Sequence, residues 1–430
     1  MVASTLEWVL SLNKRYHKSF GNSRNLENKM KTILNNLFEL SNNKLQNTRT
    51  QYHRFLYYKL LKSDSKFSGV YGSRGVGKTT LLLQIANSFK LKSDEILYIS
   101  CDHPILANVS LFELTQEFVN YGGKCILIDE VHEANNFEQE LKSIYDFLDI
   151  KVLFSGSSAI KLTNPSFTRR YGMYHLPILS FKEYLELKLN KSFESQSLEN
   201  ILENHVDIAN DIIKNLENEK ILKNFEEYIK IGAYPFYFEN KDNFTQMVLD
   251  TINTILYSDL GSIYNISGDK INSLRKLLTS ICVSNPLELS IESLAQKVGT
   301  SKVTLYKYIE LLHKAELLRH VVYEGKRFKS MQKPDKLYLA NTTLLSSLCL
   351  EPQIGTLRES FFASQLSVKN SIYYVDKGDF LINEKYTFEI GGKNKDFSQI
   401  KDIENSYIAS DSIEVGFKNK IPLWIFGFLY

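Results

Sequence analysis

The stretch Gly69–Gln84, GVYGSRGVGKTTLLLQ, places four glycines before a lysine, two threonines and an apolar helical run. Glycine is costly to order and has no side chain to pack, so something must approach this backbone closely. Residues 72–79 fit G-x-x-x-x-G-K-[ST] without a mismatch, between a short β-like run and a helical pattern. This context predicts a phosphate-binding loop, or P-loop. The alternative is a glycine-rich turn that binds nothing.

Each part of this loop has an expected role in holding ATP. Successive backbone N–H groups turn inward around phosphate oxygens, where the helix N-terminus adds a favourable dipole. Lys78 is expected to reach the β- and γ-phosphates, and the Thr79 hydroxyl is expected to sit on Mg²⁺. The predicted nucleotide-binding residues are Gly72, Ser73, Arg74, Gly75, Val76, Gly77, Lys78, Thr79 and Thr80, with Ser157 from a later strand.

A second element, CILIDE at Cys125–Glu130, supports this interpretation, because it reads as a buried apolar strand that ends in two carboxylates. We expect Asp129 to hold the magnesium ion through its water shell, and Glu130 to orient and deprotonate the attacking water. Such strands are common by chance, but after a P-loop this one indicates ATP hydrolysis. The predicted catalytic residues are therefore Lys78, Asp129 and Glu130. Ser157 ends the next strand. It could contact the γ-phosphate, or it could belong to an ordinary turn after the strand, and the sequence leaves both interpretations open.

From residue 66 to about residue 189, short apolar runs alternate with helical patterns. The runs are FSGVYG, EILYISC, KCILIDE, IKVLFSGSS and YHLPIL. Nearly continuous apolar strands separated by helices indicate a parallel sheet covered on both faces, and therefore an α/β fold. The chain of 430 residues is too long for one ordinary core, so we expect two to four domains.

Composition narrows the class of protein. Charged residues make up 23% and hydrophobic residues 43%, as in ordinary folded proteins. No run of about 18 apolar residues occurs, so we expect no membrane partner. The four cysteines show no paired spacing, which predicts neither a disulfide framework nor a zinc site and favours the reducing cytoplasm. His103 and His132 are expected to be ordinary loop or surface residues.

Several segments together resemble a known family. GVYGSRGVGKTTLL, YISCDHP, KCILIDEVHEA, VLFSGSSAIKL and HLPILSFKEYLEL are similar to prokaryotic AAA-type ATPases that carry an uncharacterised C-terminal nuclease-like domain. YIKIGAYPFYF resembles the Gly-Gly-Tyr-Pro segment of that family, with Ala233 in place of the second glycine. The resemblance covers residues 54–430, and it implies an ATP-binding domain, a winged helix and a C-terminal fold similar to PD-(D/E)xK nucleases.

The expected fold class is therefore a P-loop NTPase parallel sheet with a helical lid, a winged-helix domain and a small C-terminal α/β domain. We expect an N-terminal helical region at 1–62, the P-loop ATPase core at 63–190, the helical lid at 191–265, the winged helix-turn-helix at 266–330 and the nuclease-like α/β domain at 331–430.

Residues 290–318, SIESLAQKVGTSKVTLYKYIELLHKAELL, have the pattern of a helix-turn-helix. The second helix leaves polar side chains outward, as contacts to phosphates and base edges in a major groove require. Residues 297–336 contain ten Lys/Arg and four Asp/Glu, which suits double-stranded DNA. The alternative is a domain that packs against the ATPase core or binds a partner protein. The predicted DNA contacts are Lys302, Thr304, Tyr306 and Lys307.

The C-terminal part offers three carboxylates in a layout that suits a divalent metal. Glu359 lies in the helical segment RESFFASQL, and GDFLINEKYTFEIGGKNK reads as a hairpin with Asp379 opening one strand and Glu389 closing the next. Such a layout clusters acids for phosphodiester hydrolysis. The resembled family has a lysine two residues after the glutamate, where this chain has Gly391, so Lys393 or Lys395 would have to substitute.

Three functions stay open from the sequence. The first is an AAA-type ATPase that binds and hydrolyses Mg-ATP and contacts DNA. The second is an ATP-gated, metal-dependent DNA nuclease. The alternative for its C-terminal domain is a degenerate nuclease fold that serves for scaffolding or binding. The third is a nucleotide-dependent switch that binds a partner protein.

Overall fold

The computed structural model describes residues 29–48, 51–157, 170–264, 266–282, 290–324 and 336–430. The first 28 residues of the predicted N-terminal helical region lie outside the described part. Contacts within the chain divide it into two units. Among the described residues, the first unit contains those from 29 to 71, 78–156 and 170–174, and the second contains 72–77, 157 and those from 175 to 430.

A five-stranded sheet forms the centre of the first unit. Its strands are β1 (Phe67–Gly72), β2 (Ile96–Ser100), β3 (Cys125–Asp129), β4 (Lys151–Ser157) and β5 (Gly172–His175). Their order is β2-β3-β4-β1-β5, and the β2–β3 and β3–β4 pairs are parallel. Every residue of β3 is buried, as expected for a strand covered on both faces. The predicted α/β fold with a parallel sheet is confirmed.

The last strand of this sheet differs from its prediction. We expected it in YHLPIL, at residues 174–179, whereas β5 already ends at His175. Pro177 has no N–H to donate to a neighbouring strand, and the Leu179 N–H donates to the carbonyl of Ala233 at 2.9 Å. The chain therefore leaves the sheet earlier than its apolar pattern indicated.

The first unit contains five described helices. They are α1 (residues 29–46), α2 (Leu56–Leu61), α3 (Lys78–Ser88), α4 (Leu111–Asn120) and α5 (Phe137–Phe147). The apolar run after the P-loop motif forms the inner face of α3, where Leu81, Leu82 and Ile85 are buried. This packing fixes the helix whose first residues the motif supplies.

The second unit is mostly helical up to residue 366. Its described helices are α6 (Phe181–Leu189), α7 (Leu198–Asn215), α8 (Ile221–Ile231), α9 (Phe244–Thr254), α10 (Leu260–Tyr264), α11 (Gly268–Cys282), α12 (Ile291–Val298), α13 (Lys302–Lys314), α14 (Thr342–Leu348) and α15 (Ile354–Leu366). A π-helical turn, Ile255–Asp259, joins α9 to α10. In the part of the chain that the structure describes, no helix is both long and apolar enough to cross a membrane.

Helices α12 and α13 lie where the sequence predicted a helix-turn-helix. Gly299 ends α12 with a φ of +76°, a left-handed conformation that glycine adopts without strain. After α13, strand β6 (Leu318–Val321) pairs antiparallel with β7 (Lys336–Leu339). The glycine-containing turn in the sequence thus marks the real boundary between the two helices.

A second five-stranded sheet lies in the C-terminal part of the second unit. Its strands are β8 (Ile372–Tyr373), β9 (Phe380–Ile382), β10 (Tyr386–Gly391), β11 (Ser406–Ser410) and β12 (Lys420–Pro422), in the order β12-β11-β10-β9-β8. Strands β9 and β10 are antiparallel, with Phe380 opposite Phe388, which confirms the predicted hairpin. The chain ends near a buried helical turn, Leu423–Phe428, where Trp424 is 1% exposed.

One expectation about the cysteines is wrong. Cys282, at the end of α11, forms a disulfide with Cys349, which follows α14, and their Cα atoms lie 5.3 Å apart. The two residues are 67 positions apart in the sequence, so no local spacing could indicate the pair. Cys101 and Cys125 are buried free thiols.

Candidate functional site

The P-loop motif lies between the end of β1 and the start of α3, as its mechanism requires. Gly75 and Gly77 have φ angles of +83° and +96°, in the left-handed region that favours glycine. Lys78 is the first residue of α3 and is buried. A positive side chain at this place adds to a helix terminus that already favours an anion.

Asp129, the last residue of β3, is the centre of a hydrogen-bond network inside the first unit. Its Oδ2 atom accepts from the Thr79 hydroxyl at 2.6 Å and from the Tyr98 hydroxyl at 2.9 Å. Its Oδ1 atom accepts from the Ser155 hydroxyl and from the Glu130 N–H at 3.2 Å. Asp129 is 2% exposed, so these donors stabilise a carboxylate that water does not reach freely.

Tyr98 is a site residue that was not predicted from the sequence. Burial, followed by the charge of Asp129, raises the pKa of Tyr98 far above its ordinary value, so the hydroxyl keeps its proton and donates. The pairing of β2 with β3 places Ser100 opposite Asp129. Tyr98 lies two residues before Ser100 and therefore shares its face of the sheet. The alternation of side chains along β2 could therefore have indicated that Tyr98 lies near Asp129.

Glu130 follows Asp129 in a left-handed conformation, with a φ of +46°. This conformation costs a non-glycine residue about 1–3 kcal/mol and is frequent at functional sites. The Glu130 N–H also donates to the Ser155 hydroxyl at 3.2 Å. The carboxylate Oε2 lies 3.5 Å from Nδ1 of His132, whose side chain is 1% exposed. His132 lies in a helical turn of the loop after β3, as one of the two expectations had it, but its side chain is buried and not at the surface.

The other predicted nucleotide contacts differ in their surroundings. Thr80 is exposed on α3, whereas Ser157 ends β4 and is 4% exposed. Val76 is fully buried. Ser73 and Arg74 belong to the segment 72–77, which is part of the second unit, and both make polar contacts there.

The three predicted C-terminal carboxylates form part of a lysine-containing cluster inside the second unit. The ammonium group of Lys336, on β7, lies 3.2 Å from Oδ1 of Asp379 and 3.6 Å from Oε2 of Glu359. Its side chain is 3% exposed. The hydroxyl of Tyr338 donates to Glu359, and Oδ2 of Asp379 accepts from a β10 backbone N–H at 2.8 Å. Neither Lys336 nor Tyr338 was predicted from the sequence.

Lys395, and not Lys393, pairs with Glu389. Lys395 forms the ion pair, while Lys393 is exposed. A Cβ atom built on Gly391 would lie 2.7 Å from the Lys395 side chain, so the glycine leaves the space that this lysine fills. Burial, followed by the charge of Asp379, raises the pKa of both Glu359 and Glu389. Asp379 is therefore close enough to repel both glutamates.

The residues predicted to contact DNA lie on the outward face of α13, but they differ in exposure and in their contacts within the protein. Lys302 is ion-paired with Glu292 of α12. The N–H of Thr304 donates to the Ser301 hydroxyl at 3.2 Å and so caps the helix. Tyr306 is 43% exposed, and Lys307 is also exposed. Two of the four side chains are thus open to a partner.

A cationic groove lies beside these helices and was not predicted. It has a volume of about 630 Å³, and its lining residues come from α11 and α12. They are Asn272, Arg275, Lys276, Thr279, Ser280 and Lys297. Arg275 also donates to Asn253 at 2.6 Å. The lining contains three cations and no carboxylate, which suits an anionic partner.

Comparison with protein families identifies the first part of the chain. Residues 64–185 match a family described as an AAA domain, which supports the resemblance of this part of the chain to AAA-type P-loop ATPases. Residues 222–354 match a domain of unknown function, DUF8612. The nuclease-like part of the resemblance stays a prediction.

Individual proteins resemble the chain over much of its length. An uncharacterised protein of Methanocaldococcus jannaschii is 28% identical over 384 residues, which cover 82% of this chain and 81% of the relative. An uncharacterised protein of Haemophilus influenzae is 24% identical over 275 residues, or 60% of this chain and 61% of the relative.

Two solved structures can be superposed on parts of the chain at low scores. A Walker-type ATPase of Pyrococcus abyssi has a TM-score of 0.38 and 14% identity, with 68% of this chain and 93% of that chain covered. DnaA from Aquifex aeolicus, bound to AMPPCP, has a TM-score of 0.26 and 18% identity, with coverages of 61% and 86%.

Proposed function

We propose that this protein is an AAA-type ATPase that binds and hydrolyses Mg-ATP. The observation that carries the proposal is the 2.6 Å hydrogen bond from the Thr79 hydroxyl to Asp129. It joins the last residue of the P-loop motif to the acidic end of β3, the two groups that hold magnesium in P-loop NTPases. The AAA domain match at residues 64–185 supports the same function.

The oxygen atoms of Thr79 and Asp129 fit a magnesium ion. A hydroxyl and a carboxylate are hard ligands of the kind that Mg²⁺ prefers. When bound, the ion would neutralise phosphate charge and help to orient the transferring group. The chain's own part is to hold both oxygens in place, and the hydroxyls of Tyr98 and Ser155 do this for Asp129.

Glu130 is the proposed general base. The residue follows β3 in a left-handed conformation, and its N–H donates to the Ser155 hydroxyl at 3.2 Å. The carboxylate would accept a proton from the attacking water as the water reaches the γ-phosphate. Lys78 and the backbone N–H groups of the loop would stabilise the negative charge that develops on the phosphate oxygens.

Two substitutions separate binding from turnover. Lys78→Ala should lose nucleotide binding, measured by titration with a fluorescent ATP analogue. Glu130→Gln should keep binding and lose phosphate release by about 10²–10⁴-fold, the usual contribution of a general base. Glu133→Gln is the matched control, because Glu133 also lies beside His132, at 3.6 Å. Hydrolysis by Glu130→Gln at the parental rate would exclude Glu130 as the base.

DNA contact through α12 and α13 is the proposed partner interaction, supported by the cationic groove and by the exposed Tyr306 and Lys307. Duplex DNA binding should weaken steeply with salt, because phosphate contacts release counterions. Lys307→Ala should lower the slope of log K against log salt by about 1. Lys314→Ala is the control, since Lys314 is paired with Glu310. Binding of a partner protein without salt-dependent DNA binding would favour the nucleotide-dependent switch.

A metal-dependent nuclease is the second candidate function, and the contact of Lys395 with Glu389 is the observation that favours it. The three carboxylates are hard ligands that suit Mg²⁺ or Mn²⁺, and such an ion would supply an activated water. Lys395 would take the place of the lysine expected at Gly391. Incubation of supercoiled plasmid with either metal, with and without ATP, tests this function. Asp379→Asn is the inactive control, and no cleavage under any condition would leave the cluster as part of the fold.

A further inference from the structure

Three successive residues of the phosphate loop are held by three different segments of the second unit. The backbone N–H of Ser73 donates to Oε2 of Glu316 at 3.2 Å. The guanidinium group of Arg74 donates to Oδ1 of Asp259 at 3.0 Å. A Cβ atom built on Gly75 would lie 2.7 Å from the ring of Phe236. The loop that the motif assigns to phosphate binding is therefore held at three successive residues.

Glu316 is the most informative of these contacts. It lies two residues after α13, with a φ of +54°. Helices commonly place glycine at such a position, because other residues are strained there. A glutamate that keeps this conformation needs a compensating interaction, and its carboxylate provides two. One oxygen accepts from Ser73, and the other lies 2.5 Å from Nε2 of His175 at the end of β5.

The charge of Glu316 strengthens its contact with the loop. Burial works to raise the pKa of Glu316, but the charge and hydrogen bond of His175, the charge of Arg319 and the Ser73 N–H together lower it below its ordinary value. Hydrogen bonds to charged groups are about twice as strong as those between neutral groups. The Ser73 N–H therefore has a strong partner before any nucleotide arrives.

The other two contacts come from rigid surroundings. Asp259 is fully buried at the end of the π-helical turn. Phe236 is stacked on Tyr234, with ring centroids 5.3 Å apart, and Tyr234 is 1% exposed. Because these groups are themselves fixed, they restrict the positions that the glycine-rich loop can adopt.

We propose that Glu316 is a positioning residue for the phosphate loop, which it holds through Ser73 in the conformation that receives the nucleotide. This inference rests on the proposed ATP site. An ordered loop loses less conformational freedom when phosphate binds, so affinity is higher. By linkage, a bound nucleotide must in turn stabilise the contact between Glu316 and Ser73. The segment between α13 and β6 would therefore respond to the occupancy of the site.

Glu316→Gly separates positioning from structural support. Glycine relieves the backbone strain at this φ, so the thermal unfolding midpoint should stay equal or rise relative to Glu316→Ala. Both variants should nevertheless bind a fluorescent ATP analogue about tenfold more weakly than the wild type. Glu316→Gln, which keeps an acceptor for Ser73 but loses the charge beside His175, should give an intermediate affinity. Glu310→Gln, on the outer face of α13, should bind like the wild type.

Hydrogen exchange of a peptide containing Ser73 measures how well Glu316 protects the Ser73 N–H when no nucleotide is bound. The Ser73 amide should exchange about 10- to 100-fold faster in Glu316→Gly than in the wild type, as the loss of a hydrogen bond to a charged group predicts. Unchanged exchange would overturn the contact. Faster exchange with unchanged or tighter nucleotide binding would overturn the positioning role. A wild type that binds no nucleotide would refute the proposed ATPase, whereas the exchange result would still report on Glu316.

Discussion

Asp129 and the C-terminal carboxylates present the same physical problem, a negative charge removed from water, and the protein treats them differently. The described donors to Asp129 are hydroxyl groups and a backbone N–H, which carry no net charge. The C-terminal acids instead contact the ammonium groups of Lys336 and Lys395. Neutral donors stabilise a charge without cancelling it, so Asp129 can still attract a cation. Ammonium groups balance the charge within the fold.

The largest expected effect comes from removing one of those ammonium groups. Lys336→Met leaves Glu359 and Asp379 without their shared cation, and breaking a buried pair in this way costs about 3–5 kcal/mol. The free energy of unfolding in urea measures the loss. Lys393→Met, at an exposed lysine, should stay within about 0.5 kcal/mol of the wild type. Equal stability of Lys336→Met and the wild type would mean that the acids need no internal cation.

Asp129→Asn should mainly change the response to magnesium. At a Mg-nucleotide concentration of about 100 times Kd, ligand binding stabilises a protein by about 2.7 kcal/mol. The thermal unfolding midpoint of the wild type should be higher with Mg-nucleotide than with nucleotide and EDTA. We expect the variant to lose most of this difference in midpoint. Asp102→Asn is the control, because Asp102 is an exposed carboxylate just beyond β2. A full magnesium response in Asp129→Asn would remove Asp129 from the proposed site.

Two tyrosines give a matched test at a smaller scale. Tyr98 donates to Asp129, and Tyr338 donates to Glu359. Tyr98→Phe should cost about 1.5 kcal/mol, as the loss of a hydrogen bond to a charged group predicts, and should raise the magnesium concentration needed for half-maximal ATPase activity. Tyr338→Phe should cost less, because Lys336 still balances Glu359, and should leave the magnesium requirement unchanged. A reversed order of stability would contradict the comparison.

The smallest effect is a dependence on pH. Burial and the charge of Asp379 raise the pKa of Glu389, so the folded state binds this proton more tightly than the unfolded state. The folded state is therefore disfavoured by this group as pH rises from about 4.5 through the folded pKa. Urea unfolding from pH 4.5 upward should show that the wild type loses stability relative to Glu389→Gln. A constant difference would mean that the lysine fully offsets the burial.

Local patterns in the sequence predicted much of the fold. The P-loop, β3, the hairpin β9–β10 and the turn at Gly299 all depend on residues close together in the chain. Strand β5 was misplaced because its apolar run continues past Pro177, where hydrogen bonding to the sheet stops.

The partners of the site residues were harder to predict, because they come from distant parts of the sequence. Tyr98 reaches Asp129 through the pairing of β2 with β3, and Glu316 reaches Ser73 across 243 positions. Lys336 is brought to the acids by β7, far from the motif that named them. The sequence left Lys393 and Lys395 as alternatives, and in the structure Lys395 pairs with Glu389 in the space that Gly391 leaves.

The disulfide between Cys282 and Cys349 has a mechanical consequence. It closes a loop of 67 positions that contains α12, α13, α14 and both strands of the small β6–β7 sheet. When force is applied to the two ends of the oxidised chain, the disulfide bears the load and the residues inside this loop are not stretched. The oxidised protein should therefore extend about 220 Å less than the reduced protein under load, since a stretched residue spans about 3.3–3.6 Å.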